Sequence, residues 1–174
     1  MKMNRNFLIA AIMLISSSCI AQNIKKVQYG DFENWYARDI EESLIIGGDM
    51  KRVYAIGPSD TVEANEALNI NTIWGTSNAY AKVAGINKNS NTVYPEKRGN
   101  GYCAKLCTEY AECKVLGIVN IKVLVSGSIF WGKTFEPITS ASDPYAKIRW
   151  GIPFTSRPKA LILDYKSEMP NTGT

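Results

Sequence analysis

The 174-residue chain contains no histidine. Ser-His-Asp and Cys-His nucleophilic mechanisms are thereby excluded, as are zinc sites that mix cysteine with histidine. Any proton transfer would fall to carboxylates, lysine, tyrosine or cysteine. Cysteine is scarce as well: Cys19 lies near the N-terminus, and Cys103, Cys107 and Cys113 follow one another at spacings of four and six. That spacing lacks the paired C-x-x-C of a zinc ribbon. If residues 102 to 108 form a strand, Cys103 and Cys107 share a face about 13 Å apart, too far to bridge. Cys113 with either is the better disulfide in an oxidising compartment, and three small buried side chains is the reading favoured over any bridge.

Charge of one sign is missing too. Basic residues number 20 and acidic residues 16, and no block of five or six like charges occurs. Nothing here calls for nucleic acid as a partner. The one long apolar run stands at the start, in MKMNRNFLIAAIMLISSSCIAQN, where Lys2 and Arg5 precede Phe7 to Ile15 and small residues follow. A basic start, a short apolar run and a small-residue end are the layout of a secretory signal, with cleavage expected after Ala21. The run falls short of the roughly 20 residues that a membrane span needs. The expected product is extracytoplasmic, in the periplasm or at the cell surface. Lipid anchoring at Cys19 is the less favoured variant, because Ser16 and Ser18 fill the places of the usual Leu and small residue. Only that variant would put the protein on a membrane. Residues 22–174 suffice for one domain with its own core.

Long helical periodicity is absent. One short helix is predicted over Ala37 to Ile46, stopped by Gly47-Gly48. The clearest strand signal is CKVLGIVNIKVLVSG, residues 113 to 127, where Asn120 and Lys122 alternate with apolar neighbours so that one face is buried and one wet. Further strands are predicted at Arg52 to Ile56, Tyr80 to Val83, Tyr102 to Thr108, Ser128 to Trp131, Ala146 to Trp150 and Lys159 to Tyr165. Strands at this spacing, punctuated by glycine and proline, suggest a sandwich or barrel. INKNSNTVYPEKRGNG, residues 86 to 101, reads as one long polar loop.

One motif would contradict an all-β reading. GSIFWGKT, residues 127 to 134, has the spelling of a nucleotide-binding phosphate loop. Such a loop needs flexible residues between its glycines and a helix directly after it. Here Ile129, Phe130 and Trp131 are strand formers, and Pro137 and Pro144 block a following helix. The stretch is therefore read as a strand after a turn at Ser126-Gly127-Ser128, paired across that turn. Ile129 and Trp131 then share a face, and Lys133 is a surface lysine that binds no nucleotide.

Several segments resemble a known family when taken in order: GDFENWY (30–36), WGTSNAYAKVAG (74–85), GYCAKLCTEY (101–110), SGSIFWGKTF (126–135) and WGIPFTSRPKALILDYKSEMP (150–170). The first is similar to the N-terminal signature of carbohydrate-binding jelly-roll modules. The set resembles the blocks of the putative carbohydrate metabolism domain found in secreted proteins of Bacteroides-type bacteria. The resemblance implies an all-β fold, a β-sandwich of the jelly-roll kind, and a role with glycans, with no catalytic residue to carry over. Members of that family continue past the point matching Tyr165, so the expected jelly roll is incomplete at its C-terminal end.

The candidate sites follow from this. Tryptophan faces stack on the apolar face of a pyranose. Trp74, with Asn78 beside it in NTIWGTSNAY, has the most ligand-like surroundings, whereas Trp131 and Trp150 read as packing. Arg157 offers a guanidinium fork to a sugar hydroxyl or carboxylate, against the plainer reading of an edge position set by Pro158. Asp31 and Glu33 are the candidate ligands of a structural calcium, against the plainer reading of surface carboxylates beside Phe32. The expected function is a secreted, non-catalytic module that binds a polysaccharide or other glycan at the bacterial surface. The alternatives are a glycan-active hydrolase working through two carboxylates and a structural or adhesive envelope protein.

Overall fold

The computed structural model describes residues 24–63, 68–115, 119–140, 142–143 and 147–168. The expected signal, residues 1–21 with Cys19, lies outside them, as does the side chain of Cys113. What is described is all-β and sandwich-like, in five small sheets with no closed barrel.

Strand β1, Trp35–Glu41, is the spine. It runs antiparallel to β2, Met50–Ile56, in register from Trp35 opposite Ile56 to Glu41 opposite Met50, and parallel to β3, Asp60–Glu63. The helix predicted from Ala37 is thus corrected to a strand. Buried residues fall on both alternating sets of β1, Trp35 and Ala37 on one and Arg38 and Ile40 on the other. Burial on two faces outweighs the modest helix propensity of Ala, Arg and Glu. The Gly47-Gly48 stop does act, but on a single 3-10 turn, Leu44–Ile46. Gly47 closes it at φ 68° by donating its N–H to the Leu44 carbonyl at 2.9 Å.

The predicted loop over residues 86 to 101 is also corrected. After β4, Trp74–Thr76, come two hairpins: β5, Ala79–Val83, with β6, Ile86–Ser90, and β7, Val93–Arg98, with β8, Gly101–Leu106. Ala84 and Gly85 join the first pair with positive φ at both positions, the geometry of a tight type I′ turn. Polarity misled here because the polar groups are used inside. Asn89 is 3% exposed, and its backbone N–H donates to the buried carboxylate of Glu42 at 2.8 Å.

The expected strand Tyr102 to Thr108 breaks at Cys107. There the chain passes from β8 to β9, Thr108–Val115, which forms a hairpin with β10, Val119–Ser126. Cys103 and Cys107 are unbonded and half-buried, not fully buried as expected. Nor does the hairpin hide one face. Val123 is 49% and Leu124 59% exposed, one on each side.

Strand β11, Ile129–Thr134, confirms the strand reading of GSIFWGKT, and Lys133 is exposed. It does not pair with β10 across a turn, however. It lies between β4 and β12, Ile148–Trp150. Lys159 to Tyr165, expected as a strand, pairs with nothing among the described residues and is exposed throughout. The main core gathers Trp35, Ile56 and Val93, with Phe32, Tyr54, Trp74 and Ile129 packed on it. A second cluster joins Ile40, Val53 and Tyr80.

Candidate functional site

The sheet β12-β11-β4 carries the densest aromatic group. Its register sets Trp131 opposite Trp74, Phe130 opposite Gly75, and Gly132 opposite Trp150. Side chains alternate across a strand, so Trp74 and Trp131 share one face while Phe130 and Trp150 share the other.

On the first face the Trp74 and Trp131 rings meet edge to face at 6.0 Å, and Phe32 meets Trp74 at 5.4 Å. The Trp74 indole N–H donates to the Gln28 carbonyl at 2.7 Å. Its polar handle and its edges are therefore engaged by the protein. Phe154, 53% exposed, extends this row with its ring 5.7 Å from Trp131.

Beside Trp74 opens a crevice of about 20 Å³ lined by Arg38, Thr72, Thr76, Asn78, Lys133 and Glu136 among others. Space of that size holds a single water, not a sugar ring. Two of the sequence-predicted residues, Trp74 and Asn78, thus come together, but Asn78 is 4% exposed. Its amide donates to the Tyr54 and Val93 carbonyls at 2.8 and 2.7 Å, and its oxygen accepts from the N–H groups of Thr92 and Val93 at 2.8 and 2.9 Å. These bonds use every donor and both lone pairs of the amide, so Asn78 clamps strands to one another. Deeper in the crevice, Glu136 receives Arg38 at 2.6 Å, the Tyr80 N–H at 3.0 Å and the Leu68 N–H at 3.2 Å. A carboxylate so occupied is a fixed structural anion.

On the second face the Trp150 ring lies 4.3 Å from Phe130, tilted by 46°, and Trp150 is 62% exposed. Phe130 in turn covers Gly75, where any Cβ would collide with the ring. A bare glycine under an aromatic ring lets that ring lie flat on the sheet. The stack Gly75, Phe130, Trp150 consequently holds a large apolar indole face toward solvent. Sequence reasoning took Trp150 for packing. Its true setting depends on which glycines oppose which rings, and strand pairing decides that.

The remaining predicted residues stand apart. Arg157 is exposed in the irregular stretch after β12 and lines neither feature. Asp31 accepts the Glu33 N–H at 3.4 Å, and Glu33 accepts the Tyr102 N–H at 2.7 Å and presses on Gly101, which has no side chain to resist it. Among the described residues no cluster of three or more Cys, Asp or Glu could hold a metal ion. No third acidic or cysteine side chain joins Asp31 and Glu33 among the described residues.

In comparisons with known proteins, the model of a family described as putative carbohydrate metabolism domain matches residues 31–168. No curated protein matches the chain, and no solved structure does.

Proposed function

The chain belongs to the putative carbohydrate metabolism domain family, and from that premise we propose that it is a secreted, non-catalytic module that binds polysaccharide at the bacterial surface, taking a sugar ring on Trp150. The observation that carries this reading is the exposed indole of Trp150 propped on Phe130. A face of this kind stacks on the C–H face of a pyranose and needs no enclosing pocket, which suits a polymer lying across a surface. Trp74 acts in this reading as support, since its indole N–H and ring edges are already engaged.

The test is affinity electrophoresis through gels cast with soluble plant and host polysaccharides, followed by calorimetry on those that retard the protein. Trp150→Ala should weaken binding at least about tenfold, as loss of a central aromatic anchor does, while circular dichroism stays unchanged. Trp150→Tyr should retain part of the affinity. Equal binding by the wild type and Trp150→Ala, or no retardation of the folded protein by any polysaccharide, would overturn the proposal.

A further inference from the structure

We infer that the polysaccharide this chain binds is acidic, its carboxylate or sulfate groups being taken by Lys133 and Arg149. The inference deepens the glycan-binding reading above and rests on it. Strand pairing sets Lys133 directly opposite Arg149, and both side chains are exposed. Like charges facing one another across two strands are unfavourable. Among the described residues no carboxylate forms an ion pair with either. An anion bound between the two cations turns their repulsion into attraction.

Alternation places both side chains on the face of Trp74 and Trp131. Their surroundings agree. Lys133 lines the crevice with Trp74 and Thr76, and the Arg149 guanidinium carbon lies 5.5 Å from the centre of the exposed Phe135 ring. Held over that ring, the guanidinium presents a planar fork of donors, the shape that pairs with two oxygens of one anionic group. The ladder continues past β12, where the Phe135 N–H donates to the Lys147 carbonyl at 2.6 Å, and a third basic residue so comes to this end of the sheet.

Aromatic rings stand on both sides of the cations. Trp131 and the exposed Phe154 precede Lys133 on this face, and Phe135 follows it. Apolar ring faces and charged substituents occur together on an acidic polysaccharide, so one polymer serves both kinds of group. Strand β12 has no partner on its far side among the described residues. Arg149 and Trp150 are consecutive on that edge and project to opposite faces. A polymer crossing the edge meets the indole on one face and the cations on the other.

Paired polymers test this, by affinity electrophoresis and then calorimetry on the full chain. Polygalacturonate is set against its methyl ester and dextran sulfate against dextran, so each pair differs in charge alone. The wild type should bind one acidic member about tenfold more tightly than its neutral counterpart, as hydrogen bonds to a charged group allow. The pair that responds tells carboxylate from sulfate. Lys133→Gln and Arg149→Gln should each weaken that binding about tenfold and leave the neutral member unaffected. Their melting temperatures should hold or rise, because a like-charge pair is relieved. Arg149→Lys, which keeps the charge and loses the fork, should retain part of the affinity. Equal binding of charged and neutral members, or acidic binding that survives both glutamine variants, would overturn the acidic ligand while Trp150→Ala still reports on glycan binding. Single-stranded DNA bound as tightly as the acidic polysaccharide would overturn it in favour of unselective polyanion binding. Binding to none of the four polysaccharides would overturn it together with the glycan reading.

Discussion

Arg38 and Glu136 meet at 2.6 Å with side chains only 3% and 2% exposed, tying the spine strand β1 to the segment that follows β11. Removing one partner strands the other as a buried charge, which costs about 3–5 kcal/mol. Arg38→Met and Glu136→Gln should each lower the urea midpoint accordingly. The double variant should lose less than the sum of the two, as a double-mutant cycle on contacting residues requires. Additive losses would show that the pair is not coupled.

Gly75 and Phe130 make a second test. Gly75→Ala places a methyl group where the Phe130 ring lies. Overpacking of this kind costs about 1–3 kcal/mol. The displaced ring should also withdraw the support under Trp150. Reduced polysaccharide affinity with Trp150 still present is the expected result, read by calorimetry beside a thermal melt.

Tyr94 should titrate late. Burial, then the hydrogen bond and charge of Glu109, push its hydroxyl up to about 12, against about 10 for a free tyrosine. A group raised in the folded state contributes stability that is full below its unfolded pKa and is lost as pH rises through the folded one. The window is thus roughly pH 10 to 12. Near-UV absorbance should show Tyr94 and Tyr80, which burial also raises, ionising late, with the Tyr94 step absent in Tyr94→Phe. Stability of the wild type should fall across that window more steeply than that of the variant.

Metal removal makes a fourth test. The Glu33 carboxylate is occupied by the Tyr102 N–H, so chelation with EDTA should leave both the melting temperature and glycan affinity unchanged. Glu33→Ala should lower the melting temperature by loosening the N-terminal loop from the β7–β8 turn. A drop on chelation that calcium alone restores would support calcium at Asp31 and Glu33.

The all-β class was legible in the sequence because Arg52 to Ile56, Tyr80 to Val83 and Ile129 to Trp131 combine β-branched or aromatic residues with punctuating glycines and prolines. What escaped was any feature set by pairing across distance. Asn89 and Asn78 read as loop or ligand residues, yet each lies buried, Asn89 with its side-chain amide N–H on the Ile40 carbonyl and Asn78 with its amide bonded to Tyr54, Thr92 and Val93. Arg38 looked like part of a helix until Glu136 supplied its partner. Trp74 and Trp150 differ from their local reading in exposure for the same reason. Local composition favoured the first, whereas glycine positions in the neighbouring strand expose the second.

The stretch from Ile152 to Glu168 is exposed at nearly every residue and pairs with no strand among the described residues. Peptidases grip their substrates as extended backbone with free N–H and C=O groups, so this is where digestion of the native protein should begin. Trypsin finds Arg157 followed by proline, a poor site, and then Lys159 and Lys166 in the open. Cuts at both lysines would release residues 160–166, LILDY included, while leaving the aromatic sheet untouched, a loss readable from the mass of the digested protein.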